Sequence, residues 1–287
     1  MKLSGNIDLH LHSTVSDGTD KPQALPALVR EAGLGLFSLT DHDAVKGCGE
    51  IRRLLREGDP LFITGIEFSC RDEEGKYHVL GYGFDPEAPA IRRVIETGHG
   101  FRLRKLQTRL DFLADRFGIR FPEEELQRLR TLDNPGKPHL GNLMVKYGFA
   151  RSKEEAIRRY IDQLRGRAEY IRPETAVEGI LGGGGIPVLA HPCFGSGAEL
   201  ILGAEMDRRL RRLTEMGLRG LEAWYSGFSD EQRREMLSFA EQFGLYVTAG
   251  SDYHGKNKAV ALGDTGLEPE GELPEGLQRF LKDVNYA

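Results

Sequence analysis

The sequence predicts an α/β fold, a βα barrel or an open doubly wound sheet, with one inserted helical segment. Three observations carry this reading. Seven short apolar runs rich in β-forming residues recur along the chain, and helical patterns separate most of them. Between about residues 98 and 172 the alternation stops and helices alone follow one another. The length, 287 residues, is normal for a barrel carrying an insertion.

The elements read in order as follows. Residues 6–12 form the first strand, and 22–33 a helix with Pro22 in its first turn and Gly33 at its end. Residues 36–40 are the second strand and 45–56 a helix. Residues 62–69 and 77–84 are strands three and four, joined by a polar stretch that reads as a hairpin-like turn. A helix is expected over 88–97. In the insertion, Leu103, Leu106, Leu110, Leu113 and Phe117 recur at helical spacing over 102–117. Short helices are expected near Glu123 and Leu140, on either side of a loop at 133–138, and Ser152 with Glu155 forms a capping box that opens another. Alternation resumes at Pro173. The glycine run 182–185 lacks the Lys-Ser/Thr of a phosphate-cradling loop and reads as a helix stop and turn before the fifth strand, 186–190. Residues 221–224 and 246–250 are the last two strands, separated by a helix opening at Ser229. The expected division is therefore a barrel from 1–97 and 173–287 and a helical insertion from 98–172.

Composition narrows the function. Hydrophobic residues make up 39% and charged residues 29%, which excludes global disorder. No apolar run approaches the ~18 residues that span a bilayer, and the start lacks the pattern of a signal peptide. Cys48, Cys70 and Cys193 are widely spaced and form no CxxC pair, so a reducing cytoplasm is the expected location. The net charge is −5, unevenly spread: residues 101–172 hold 17 Lys/Arg against 10 Asp/Glu, and the rest of the chain 22 against 34. A basic segment beside an acidic body points to an anionic ligand. For any single arginine, solvation of a helix face is the simpler account.

Six of the eight histidines, His10, His12, His42, His78, His191 and His254, fall at or beside expected strand ends, with Asp17, Glu67 and Asp252 among them. On a strand, residues two apart share a face, so Asp8, His10 and His12 point one way and Leu9 and Leu11 the other. Polar side chains on a buried face are costly unless satisfied, and a metal ion satisfies them. Functional groups of parallel barrels collect at the C-terminal strand ends, so these nine residues are expected to converge. Imidazole with carboxylate suits Mn²⁺, Fe²⁺ or Zn²⁺, and nine candidates exceed one ion's needs, so two or three divalent ions, with Mn²⁺ first, are expected. A lone histidine is more often a satisfied core or surface residue; His99 is read that way, and His139 stands between the two readings.

Taken together, Asp8, His10 and His12 with Ser16-Asp17-Gly18, the Thr40–Asp43 run, Gly65-Ile66-Glu67, His78, Ala190-His191-Pro192 and Gly250–His254 resemble the PHP (polymerase and histidinol phosphatase) family, in its order and over nearly the whole chain. The resemblance implies a distorted seven-stranded βα, TIM-like barrel. It implies one ion held by His10, His12, Glu67 and Asp252, a second by Glu67, His78 and His191, and a third by Asp17, His42 and His254. Asp17 and the insertion resemble the branch of small-nucleotide phosphatases and 5′-3′ exoribonucleases, in which basic residues of the insertion meet the substrate; Arg102, Arg104, Lys137 and His139 fall at matching places. The branch's His-Pro-Gly-Arg is here His191-Pro192-Cys193-Phe194, which removes a phosphate-contacting arginine.

The expected activity is metal-dependent hydrolysis of a phosphate ester, a phosphomonoester of a nucleotide or small metabolite, with no catalytic side chain assigned beyond the ligands and a metal-activated water as nucleophile. Alternatives are a 5′-3′ exonuclease on short RNA or DNA and a histidinol-phosphate-type phosphatase. An amidohydrolase-like C–N hydrolase also uses a His-x-His strand, but no lysine stands at an expected strand end for a bridging carbamate. A non-catalytic accessory domain would show degenerate ligands, and all nine are present. The expected partner is an anionic small molecule, a phosphate ester, nucleotide or short oligonucleotide; without a long basic stripe carrying aromatics, neither duplex nucleic acid nor a membrane is expected.

Overall fold

In a computed structural model, which describes residues 5–166, 168–194, 199–268 and 271–287, the chain divides into two compact units: residues 1–95 with 171–287, and residues 96–170. The first holds a seven-stranded sheet in sequential order: β1 (Asn6–Leu11), β2 (Leu34–Leu39), β3 (Leu61–Arg71), β4 (Lys76–Tyr82), β5 (Ile186–Leu189), β6 (Gly220–Tyr225) and β7 (Tyr246–Gly250). The pairs β1–β2, β2–β3, β5–β6 and β6–β7 are parallel. β4 is antiparallel to both neighbours, which is the distortion of this barrel. Its direction follows from the short turn at 72–75, because a parallel return needs a crossover of a dozen residues or more. The sheet nearly closes on itself. Tyr253, just past β7, bridges Leu11, and the His12 N–H donates to its carbonyl at 2.8 Å.

Helices cover the outer face. Leu11, Phe37, Leu39 and Phe62 of the strands pack with Leu25 and Val29 of α1 (Leu25–Glu31) and with Cys48 and Ile51 of α2 (Lys46–Arg52). The alternation of β1 thus holds: Leu11 joins this apolar layer, and His10 and His12 point away from it. The glycine run ends α7 (Pro173–Gly182), where Gly184 takes a left-handed φ of 77°, and the chain turns into β5. α9 (Asp230–Gln242) opens with a complete capping box: the Ser229 hydroxyl accepts from the Gln232 backbone N–H and the Gln232 side-chain Oε1 accepts from the Ser229 backbone N–H.

Several local expectations are corrected. The helices expected over 88–97 and 102–117 are one continuous helix, α3 (Pro89–Phe117), which runs through Gly98 and Gly100. Glycine costs a helix interior roughly 1 kcal/mol, which packing overrides here. The expected loop at 133–138 ends early, because Lys137 and Pro138 already lie in the first turn of α5 (Lys137–Lys146). The expected capping box of α6 (Lys153–Arg159) is half formed: Ser152 accepts from the Glu155 N–H, but the Glu155 carboxylate accepts from the Arg151 N–H. α8 (Gly203–Glu215) and α10 (Glu275–Asp283) lie where no helix was expected.

The second unit has a core of its own, in which Leu106, Leu110 and Leu113 of α3 pack with Leu129 of α4 (Glu123–Arg130), Leu140 and Met144 of α5 and Ala156 of α6.

Replacing Ser229 by alanine removes the first-turn acceptor of α9 and is expected to lower the unfolding free energy by about 1 kcal/mol. Denaturant titration checks it, and an unchanged midpoint would show that this cap carries no stability.

Candidate metal centre

All nine expected ligands come together, at the C-terminal ends of the parallel strands and on β4. His10 lies within β1, and His12 and Asp17 follow it. His42 follows β2, Glu67 lies within β3 and His78 within β4. His191 follows β5, and Asp252 and His254 follow β7. Three groups hold donor atoms mutually within 4.8 Å: His12, Asp17, His42 and His254; His10, His12 and Glu67; and His42, Glu67 and His78. His12, His42 and Glu67 each belong to two of these groups.

Glu67 is the hub, 1% exposed. Its Oε1 lies 2.8 Å from His78 Nδ1 and 3.2 Å from His191 Nε2. Its Oε2 lies 3.3, 3.1 and 3.0 Å from nitrogens of His10, His12 and His42, none of them in hydrogen-bond geometry. Asp252 turns Oδ1 to His10 and His12 at 3.6 and 3.5 Å and to His254 at 3.3 Å. Asp17 lies 3.2 Å from His254 and 3.9 Å from His42.

Electrostatics favour ionised carboxylates here. Burial pushes the Glu67 carboxyl up, but His42, His78 and His10 outweigh it and hold it well below its ordinary value. Asp17 is likewise held well below its ordinary value, burial being outweighed by His42, His254 and His12. Burial lowers His12 and His78, which favours the neutral imidazole that a metal requires. Burial acts the same way on His10, but Glu222, Glu67 and Asp252 win and raise it well above the usual range. The donor set therefore fits divalent cations: buried carboxylate oxygens and imidazole nitrogens converge, and two imidazole nitrogens, His10 Nε2 and His12 Nε2, face each other at 3.1 Å.

The surroundings hold the donors rigidly. Asp41, fully within the structure, accepts from the Ser13 N–H and from the Ser13 and Ser16 hydroxyls, tying the loop after β1 to the end of β2. Asp8 does not join the cluster. It accepts from the Ser251 and Gly263 N–H groups and ties β1 to the chain beyond β7, and burial raises its carboxyl to about 6. Asp43, His191 and Asp252 have left-handed φ values of 52°, 28° and 59°. Non-glycine residues pay for such conformations, and these three sit at or beside donors.

Sequence reasoning missed Glu222, Tyr225 and Lys258. Glu222 lies within β6 and is 0% exposed. Its Oε1 accepts from His10 Nδ1 at 2.9 Å and its Oε2 from the His191 backbone N–H at 2.7 Å. The first bond keeps a proton on His10 Nδ1, so that Nε2, which faces the cluster, is the nitrogen that would give its lone pair to an ion once its own proton is displaced. A charged residue inside an otherwise apolar strand was the signal available. Gly250 makes room for it: a Cβ there would lie 2.3 Å from both Glu222 Oε1 and His10 Cβ.

The four expected substrate residues all lie in the second unit. Arg104 pairs with Glu169 and stacks over Phe101, Lys137 pairs with Asp162, and His139 Nδ1 accepts from the Gly136 N–H. Arg102 is half-buried on α3.

No family model matches the chain. A 3′,5′-nucleoside bisphosphate phosphatase of Chromobacterium violaceum is 30% identical over 264 residues, 87% of each chain. The chain belongs to the PHP family. A 5′-3′ exoribonuclease of Haemophilus influenzae is 27% identical over 257 residues, covering 88% of this chain and 91% of its own. A solved structure from Bifidobacterium adolescentis, described as a metal-dependent phosphoesterase, matches with a TM-score of 0.79 at 27% identity, over 97% of this chain and 96% of its own. This PHP protein is a metal-dependent phosphoesterase with a TIM-like barrel. Among its described residues no helix is long and apolar enough to cross a membrane.

Glu222→Gln leaves one acceptor oxygen for two buried donors. It is expected to weaken divalent-ion affinity about 10- to 100-fold, the usual effect of losing such a support. Competition against a chelating dye measures this, and wild-type affinity in the variant would remove Glu222 from the account.

Proposed function

We propose that this PHP phosphoesterase removes a phosphate monoester from a nucleotide or a small phosphorylated metabolite, using two or three ions, with Mn²⁺ first and Zn²⁺ or Fe²⁺ as alternatives. The observation that carries the reading is Glu67, whose two oxygens face two different sets of imidazoles. That arrangement supports a carboxylate that would be shared between two ions. His10, His12 and Asp252 would complete one ion's donors, His78 and His191 a second's, and Asp17, His42 and His254 would hold a third. When bound, the ions supply charge neutralisation on the phosphate oxygens and a lowered pKa for an attacking water.

The protein's part is placement. Glu222 fixes the His10 ring and the His191 backbone, and Asp41 fixes the loop carrying Asp17. Arg102, Arg104, Lys137 and His139 are proposed as substrate contacts. Arg104 and Lys137 would exchange Glu169 and Asp162 for substrate phosphate, giving orientation and charge stabilisation. The Chromobacterium relative's name supports a nucleotide substrate and the Haemophilus relative's name supports the second reading, 5′-3′ exonuclease action on short RNA. Cys193 and Phe194, uncharged where the branch carries an arginine, set this chain apart from both readings in their simplest form.

The test is a metal-reconstituted screen against phosphorylated metabolites, mononucleotides, nucleoside 3′,5′-bisphosphates and short RNAs. Turnover is expected on a monoester with Mn²⁺, and is expected to be nearly abolished in Glu67→Ala and Asp252→Ala with the fold retained. Processive RNA degradation without monoester turnover would favour the exonuclease, and near-wild-type hydrolysis in either variant would sink the assigned ligands.

A further inference from the structure

The carboxylate of Asp252 has two faces. Oδ1 looks into the histidine cluster, and Oδ2 accepts from the Tyr225 hydroxyl at 2.9 Å and from the Lys258 ammonium. Lys258 also donates to the Tyr225 oxygen at 3.0 Å. The turn that delivers Lys258 is fastened to the loop bearing Asp17: the Lys256 N–H donates to Thr19 Oγ1 at 2.9 Å, and the Asn257 amide donates to the Asp17 carbonyl at 2.7 Å. Lys258 is therefore a held cation at the edge of the donor cluster, not a loose surface lysine.

An ammonium has three donor hydrogens. Two are engaged by Asp252 and Tyr225, and the side chain is 36% exposed. At the neighbouring edge Phe194 packs on Tyr225 and Phe228 at ring separations of 6.0 and 5.6 Å. We propose that Lys258 contacts the substrate, its remaining N–H and its charge binding the phosphate group that is hydrolysed. The proposal rests on the phosphatase reading and adds a binding residue to it. An anion at this edge gains a charge-assisted hydrogen bond, and the same ammonium stabilises charge gathered on phosphate oxygens in the transition state. Asp252 and Tyr225 hold the nitrogen in place beforehand, which reduces the cost of positioning it.

Two variants separate this role from an indirect one acting through Asp252. Lys258→Met keeps the apolar stem and removes the charge. Lys258→Gln keeps an amide donor for Asp252 and Tyr225 and also removes the charge. The readouts are ion content by elemental analysis and calorimetric binding of inorganic phosphate to the metal-loaded enzyme. Both variants are expected to keep wild-type ion content and to bind phosphate about tenfold or more weaker. Wild-type phosphate affinity in either variant would overturn the proposal. So would loss of ions in Lys258→Met that Lys258→Gln restores, since the lysine would then act by orienting Asp252. The phosphate arm does not depend on turnover, so a wild-type enzyme inactive on every monoester would overturn the substrate reading and leave Lys258 to be judged separately.

Discussion

The structure turns on one buried carboxylate. Glu67 is 1% exposed and faces His10, His12, His42, His78 and His191. A buried anion among imidazoles is costly unless positive charge is supplied, and protonating several crowded imidazoles supplies it badly, since they repel one another. Divalent ions supply it compactly. The barrel brings donors from five other strands around this group, and the remaining strand, β6, supplies Glu222, which bonds His10 and the His191 N–H.

Holding such a cluster requires rigidity in the wrong direction for stability. Three non-glycine residues at strand ends, Asp43, His191 and Asp252, adopt left-handed backbone conformations. Asp8 and Asp41 are buried carboxylates that spend their oxygens on backbone N–H groups and hydroxyls of the loops. Strain and buried charge of this kind persist where surrounding structure over-determines them, and here they surround the donors. Gly250 shows the tolerance involved, since not even a methyl group fits between His10 and Glu222.

The cluster was legible in the sequence because its signals are local: a histidine or carboxylate at the end of an apolar run announces itself without knowledge of its partners. The seven strands were legible for the same reason. Glu222 was not, because its meaning lies in contacts with His10 and His191, 212 and 31 residues away. Lys258 was missed similarly, lying beyond the last strand in a turn whose course depends on Thr19 and Asp17. The continuity of α3 was hidden by Gly98 and Gly100, and the amphipathic α8 and α10 were passed over between better-marked strands. The insertion's positive balance was plain, but the pairing of Arg104 with Glu169 and Lys137 with Asp162 depends on tertiary contacts that charge counting cannot see.

The central claim is that the nine side chains form one centre for several ions. Elemental analysis of the protein, stripped with chelator, reconstituted with Mn²⁺ and desalted, tests it most directly. At least two ions per chain are predicted. One ion or none, in protein that is folded, would contradict the account.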